Sequence, residues 1–187
     1  SPGPTESEAN VPQNVRNIFS ETGEWARSSF VHRHLFVASG TYQIPSWARA
    51  GRLAAVVSGW RLNGILSLQS GAPFTVNIGV DRANIGGGPA QRPDQVRNPN
   101  LPGGERTPDK WFDTGAFMLQ APFTFGHAPR NSVVGPGFAN LDLAVARTWP
   151  IGGSQLEVRW EVFNLFNRAN FDLPNRTFGT PNFGRIF

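Results

Sequence analysis

The chain contains no cysteine. That excludes a disulfide framework and any thiolate metal site, and it leaves the redox compartment open. Lysine is nearly absent too: Lys110 is the single one, so the net charge of +4 rests on arginines scattered one at a time along 187 residues. A nucleic-acid surface gathers its basic residues on a stripe with aromatics among them, so no nucleic-acid partner is expected. Long apolar runs are missing as well. No stretch approaches the roughly 18 consecutive apolar residues of a membrane helix, which excludes a helical span but not a β-barrel, whose strands need only about 9 to 11 residues of alternating character. The opening residues, Ser1-Pro2-Gly3-Pro4, have no charged segment followed by an apolar one. They are no signal peptide, and we expect this end to be a cut within a longer protein.

What is plentiful is Gly (21), Pro (16) and Phe (15), with charged residues at only 16%. Such a mixture suits turns joining many strands better than a helical bundle, and the expected fold is all-β, built of antiparallel up-and-down hairpins. The clearest hairpin lies between Asn140 and Phe166. Strand side chains alternate with period two, so Gln155, Glu157, Arg159 and Glu161 point one way, and Leu156, Val158, Trp160 and Val162 the other. In the run before it, Leu141, Leu143 and Val145 share a face opposite Asn140, Asp142, Ala144, Ala146 and Thr148, and Pro150-Ile151-Gly152-Gly153 supplies the turn. These two strands are expected at about 140–149 and 155–166. Two more are expected upstream. The first, about 33–44, carries His34, Phe36, Ala38, Gly40 and Tyr42 on one face and stops at Pro45. The second, about 53–71, places Trp60, Leu62, Gly64, Leu66 and Leu68 opposite Arg61, Asn63, Ile65, Ser67 and Gln69.

The remaining segments lack a period. Residues 1–32 are polar and irregular, the end of the chain is a Pro/Asn/Gly-rich tail, and residues 72–139 are broken repeatedly, as at Gly86-Gly87-Gly88-Pro89 and Pro102-Gly103-Gly104. An excursion of that length is foreign to a compact soluble domain. It is at home in an outer-membrane barrel, where short periplasmic turns alternate with longer external loops.

Several blocks carry a more specific likeness. They are Trp60-Arg61-Leu62-Asn63-Gly64-Ile65 with Leu68-Gln69-Ser70-Gly71-Ala72-Pro73-Phe74-Thr75-Val76, then Trp111-Phe112-Asp113-Thr114-Gly115-Ala116-Phe117, and then Gly135-Pro136-Gly137 ahead of Asn140-Leu141-Asp142-Leu143. Last come Arg159-Trp160-Glu161-Val162-Phe163-Asn164-Leu165-Phe166-Asn167 and Asn170-Phe171. In this order they resemble the C-terminal barrel region of TonB-dependent outer-membrane receptors, in particular the Oar-like group with a carboxypeptidase-regulatory-like domain. The resemblance implies a plugged barrel of about 22 strands, in contact with outer-membrane lipid and with a plug domain of the same parent chain. It also implies coupling to the TonB system through N-terminal parts that lie outside these residues. The chain departs from the family in Phe30-Val31-His32-Arg33-His34, where an acidic position is lost. It also stops at Phe187, before the strand with which family members end. Truncation is expected there, although Phe183, Arg185 and Phe187 share the parity of a terminal strand.

On this view Arg61, Gln69, Asp142, Glu157, Arg159 and Glu161 face the lumen, and the Leu and Val row faces lipid. Trp149 suits an interfacial aromatic girdle. The same-face carboxylates and arginine are expected to form a solvated ion-pair ladder rather than a ligand path. Catalysis would need a nucleophile or a pocket that nothing here supplies, so no enzyme and no cofactor is expected. Trp111, Phe112 and Phe117, in the long external loop, are candidates to grip an extracellular ligand, against the alternative that they pack the loop onto itself. His32 and His34 share a face but lack a nearby acidic cluster, and His127 is far away in sequence; the pair is read as lining the outer rim, with no metal expected. The function expected is the wall and external loops of a bacterial outer-membrane receptor for uptake or binding of an extracellular ligand. The alternative is a secreted β-sandwich that binds glycans, which would require a continuous buried apolar core joining the strands.

Overall fold

The computed structural model describes residues 26–45, 58–86 and 91–187. Its strands are β1 (Leu35–Gln43), β2 (Trp60–Gln69), β3 (Pro73–Phe74), β4 (Asn77–Ile78), β5 (Asp94–Gln95), β6 (Phe117–Met118), β7 (Val133–Val134), β8 (Phe138–Ile151), β9 (Ser154–Val162) and β10 (Thr177–Phe178). Two single 3-10 turns, Gly103–Glu105 and Thr114–Ala116, are the helical segments among the described residues. The chain divides into two compact units.

The sheet unit, Arg33–Ser70 with Gly137–Asn170, is a four-stranded antiparallel sheet in the order β1-β2-β8-β9. Its register follows from keeping like with like across each ladder. Leu62 lies opposite Tyr42 and Val145, Leu66 opposite Ala38 and Leu141, and Val145 opposite Trp160, so one face is a continuous apolar row. On the other face Asn63 lies opposite Thr41 and Ala144, and Ala144 opposite Glu161. Gln69 pairs with Phe138, so the chain leaves and re-enters the sheet at one end, while the Gly152-Gly153 turn closes the other. Both turn glycines have positive φ, 55° and 87°, as a tight hairpin turn requires.

The apolar face is not roofed. Phe36, Tyr42, Leu68, Leu156, Val158 and Trp160 stay exposed, Trp160 by 67%. The described hydrophobic cluster takes no residue from this sheet. The continuous core that a soluble sandwich needs is therefore absent from the described residues. The edge strands β1 and β9 each have a ladder partner on one side only.

All four sheet strands differ from the sequence expectation, β1 only by its trimming to Leu35–Gln43 from about 33–44. β2 starts at Trp60 rather than Leu53: residues 53–57 lie outside the described residues, and Gly59, at φ 80°, breaks the extended path just before the strand. β8 is longer than expected and includes Pro150, which sits next to the turn opposite Gln155. β9 ends at Val162 although the alternation runs on, because Asn164 adopts φ 50°.

The loop unit comprises Gly71–Pro136, Phe171–Phe187 and residues 1–32, of which 26–32 are described. The aperiodic excursion is not structureless. It folds around Phe74, Val76, Phe112, Ala116, Phe117, Ala128 and Val133, with Trp111, Phe178 and Phe183 packed against them. Two-residue pairings, β3 with β7, β5 with β6 and β4 with β10, stitch it together. The backbone passes very close at Gly71, where a Cβ would lie 1.9 Å from the Gly135 carbonyl oxygen, and at Gly126, where it would lie 1.9 Å from the Arg92 carbonyl oxygen; only glycine fits such approaches. The tail is not a terminal strand either. Phe178 and Phe183 join the aromatic cluster, the Arg185 guanidinium pairs with Asp109 at 2.6 Å, and Phe187 is exposed.

Candidate functional site

The polar face of the sheet gathers most of the residues marked out by alternation. Arg61 on β2 and Glu157 on β9 are separated by β8, yet Arg61 Nη2 lies 3.2 Å from Glu157 Oε2. Small side chains between them make this reach possible. Arg61 and Arg159 both stand opposite Ala146, which the long side chains cover until it is only 1% exposed. Arg159 then continues the chain of contacts to Glu157 at 3.2 Å and to Glu161 at 3.4 Å, and Thr148 donates its hydroxyl to Glu157 at 3.3 Å. The side chains remain 39–55% exposed, so each pair contributes about 0–1 kcal/mol. This network spans three strands, charge against charge, with no carboxylate isolated for proton transfer.

Asp142 and Gln69 stand apart from it. Asp142 shares the face, but its carboxylate accepts the Asn164 backbone N–H and the Asn140 side-chain amide, both at 2.8 Å. It is the group that ends β9, because the Asn164 N–H it captures is no longer directed into the ladder. Residue types from two of the recognised blocks, Asn140-Leu141-Asp142-Leu143 and Arg159 to Asn167, meet in this contact. Since a hydrogen bond to a charged group contributes about 1.5–3 kcal/mol, Asp142→Ala should lower sheet stability by that amount and speed amide exchange at Asn164. Denaturant unfolding with exchange measured residue by residue checks this, and unchanged protection at Asn164 would remove the capping role. Gln69 lies at the end of the sheet, opposite Leu35 and Phe138.

On the apolar face alternation missed one residue. Arg147 continues the row of Leu141, Leu143 and Val145, yet it is buried, with its guanidinium 4.5 Å from the Trp149 ring centroid and 5.8 Å from that of Trp60. The two indoles meet edge to face at 5.9 Å. A cation stacked on tryptophans at the turn end of an apolar face suits a water–membrane boundary.

In the loop unit the aromatic candidates divide. Phe112 is fully buried and Phe117 nearly so. The Phe112 ring meets those of Phe74, Phe117 and Phe183 edge to face at 5.1–6.0 Å. These rings are spent on packing, and an incoming ligand has no face of Phe112 to touch. Trp111 is partly buried, donates its indole N–H to the Val134 carbonyl at 3.0 Å and carries the Arg106 guanidinium over its ring.

Beside this core Asp113 caps the Thr114–Ala116 turn and accepts from Gly115 N–H at 3.0 Å. The Arg97 guanidinium, 2.7 Å away, holds its carboxyl below the ordinary 3.8 by hydrogen bond and by charge, outweighing its partial burial. A depressed folded-state value means that the stabilisation is complete above about 3.8 and fades as pH falls through the lower folded value. The loop unit should thus hold its structure from neutral pH to about 4, and Arg97→Gln should move the onset of acid loosening upward. Trp111 fluorescence followed on acidification reads this, and an identical onset in both proteins would rule out the pair.

The histidines do not assemble a metal centre: no group of three or more His, Asp or Glu close enough to hold an ion occurs among the described residues. His127 instead pairs through Nδ1 with Asp94, a partner 33 positions away that no local pattern marks. Asp81, by contrast, finds its partners within ten residues. Burial pulls its carboxyl upward, but hydrogen bonds from the Ile85 N–H, Gln91, the Gly86 N–H and the Asn84 N–H more than offset that and hold it below the ordinary range.

An antiparallel sheet that keeps one ionic face and one unroofed apolar face is the wall of a transmembrane β-barrel. No described helix is long and apolar enough to cross a membrane, a fact that bears on helices alone. The chain belongs to the outer membrane beta barrel domain family, whose model matches residues 2–187. Its place is accordingly the bacterial outer membrane. No curated protein and no solved structure matches it.

Proposed function

We propose that these residues are the C-terminal wall and external loops of a TonB-dependent outer-membrane receptor that takes up or binds an extracellular ligand. The observation that carries this reading is the division of the sheet. Arg61, Glu157, Arg159 and Glu161 interlock on one face, suited to a water-filled or plug-filled lumen, while the row from Phe36 to Trp160 is left for lipid. The folded excursion between β2 and β8 supports it, since a large structured loop at one barrel end fits a receptor that presents a surface outside the cell. The order of the sequence blocks points to the TonB-dependent class. In this reading the chain performs no chemistry; the plug of the parent protein and the inner-membrane partner supply gating and energy.

The test is binding of the periplasmic domain of TonB to the parent receptor, purified from outer membranes in detergent, by titration calorimetry. Saturable binding supports energised transport. Absence of binding, with the barrel intact by circular dichroism, would leave an outer-membrane barrel of another kind.

A further inference from the structure

The end of the sheet away from the Gly152-Gly153 turn holds a cavity of about 630 Å³. Its walls include Phe36, Leu68 and Phe138, its cations are Arg33 and Arg168 with His34 beside them, and no carboxylate lines it. Neither arginine forms an ion pair among the described residues, in contrast to Arg61, Arg97, Arg159 and Arg185. From this geometry we propose that the cavity binds a phosphate monoester carried on an apolar body.

The backbone segments that carry His34 and Arg168 are fastened to the sheet. His34 N–H donates to the Ser70 hydroxyl at 2.9 Å, and Ser70 N–H returns a bond to the His34 carbonyl at 2.8 Å, which fastens the start of β1 to the end of β2. Arg168 is fixed by a closed exchange with Asn164: its N–H donates to Oδ1 at 3.1 Å, and its carbonyl accepts from Nδ2 at 3.0 Å. Asn164 is itself held by Asp142. Two residues on, Asn170 makes the same kind of double bond with the Ala139 backbone, at 2.9 and 3.1 Å, tying this segment to the start of β8.

Arginine matches phosphate because its planar fork gives two parallel charge-assisted hydrogen bonds and stays charged at any physiological pH. Two such forks and an imidazole suit a dianionic monoester better than a single negative charge. The phenylalanine and leucine walls then favour a ligand with apolar bulk over a bare ion. This proposal concerns the barrel end and does not depend on coupling to TonB.

The probes are dihexanoyl phosphatidic acid, dihexanoyl phosphatidylcholine and inorganic phosphate, each titrated calorimetrically into the outer-membrane protein that carries these residues, purified in a zwitterionic detergent. Phosphatidic acid should bind at least about tenfold more tightly than phosphatidylcholine, and the Arg33→Gln/Arg168→Gln protein should lose that preference with its circular dichroism unchanged. Arg61→Gln, on the ionic ladder, serves as the control and should keep it. Weaker binding of inorganic phosphate supports a phosphate borne on an apolar body, and binding of inorganic phosphate as tight as that of phosphatidic acid would overturn the apolar body and leave only a bare-anion site. Equal affinity for the two lipids without phosphate binding, or full binding by the doubly substituted protein, would overturn the proposal altogether.

Discussion

Phe112→Ala is expected to unfold the loop unit and to leave the four-stranded sheet standing. Phe112 is fully buried, and its ring is the common neighbour of Phe74, Phe117 and Phe183. Truncating a buried phenylalanine costs about 3–5 kcal/mol, the sum of the lost transfer energy and the cavity left behind. Because small units are held by only about 5–15 kcal/mol in total, that loss is a large part of what keeps this one folded. Its strand pairings are two residues long and cannot compensate. The readout is limited trypsin digestion: Arg97, Arg106, Lys110 and Arg130 should become cleavable in the substituted protein, with the sheet fragment surviving. Phe112→Leu, which keeps most of the volume, should lose less than about 1.5 kcal/mol and stay resistant. Equal resistance of Phe112→Ala and the unsubstituted protein would mean that the aromatic cluster is not what holds the unit together.

Leu143→Arg and Ala144→Arg should differ sharply although they are neighbours. Leu143 lies on the apolar face near the middle of β8, opposite Gly64 and Val162, and Ala144 lies on the ionic face opposite Asn63 and Glu161. An arginine on the lipid face near the bilayer midplane costs about 2–4 kcal/mol. On the opposite face the new guanidinium stands across from a carboxylate, and the change should fall within about 0.5 kcal/mol. Unfolding of the outer-membrane protein in guanidinium from lipid vesicles measures both. A penalty at 144 equal to or larger than that at 143 would show that the apolar row does not face lipid, and with it the assignment of faces would fail.

The sheet was legible in the sequence because the strand period is a local property. Leu156, Glu157, Val158 and Arg159 alternate whatever they pair with, and each lies on the face that alternation assigns. The Gly152-Gly153 turn was legible for the same reason, since the left-handed backbone it needs is a property of the residues themselves. Asp142 marks the limit. Its parity places it with Glu157 and Arg159, but the captured Asn164 N–H lies 22 positions away, and no period reports a contact made by an irregular backbone. Phe112 and Phe117 show the same limit. Their segment has no regular repeat, so no pattern separated a ring that grips a ligand from one that packs inward, and only the convergence of Phe74, Phe178 and Phe183 from distant positions buried them.

The sequence by itself determined the all-β class, the ionic and apolar faces and the barrel-like arrangement of a short turn and a long excursion, since these depend on side-chain alternation and turn chemistry within a few residues. Tertiary structure alone decided the register that brings Arg61 to Glu157 across an intervening strand, the end of β9, the aromatic core of the loop unit and the meeting of Arg33 with Arg168 at one cavity. Each of these joins residues far apart in the chain. Such contacts form only when the balance of packing, hydrogen bonding and chain entropy is struck over the whole fold.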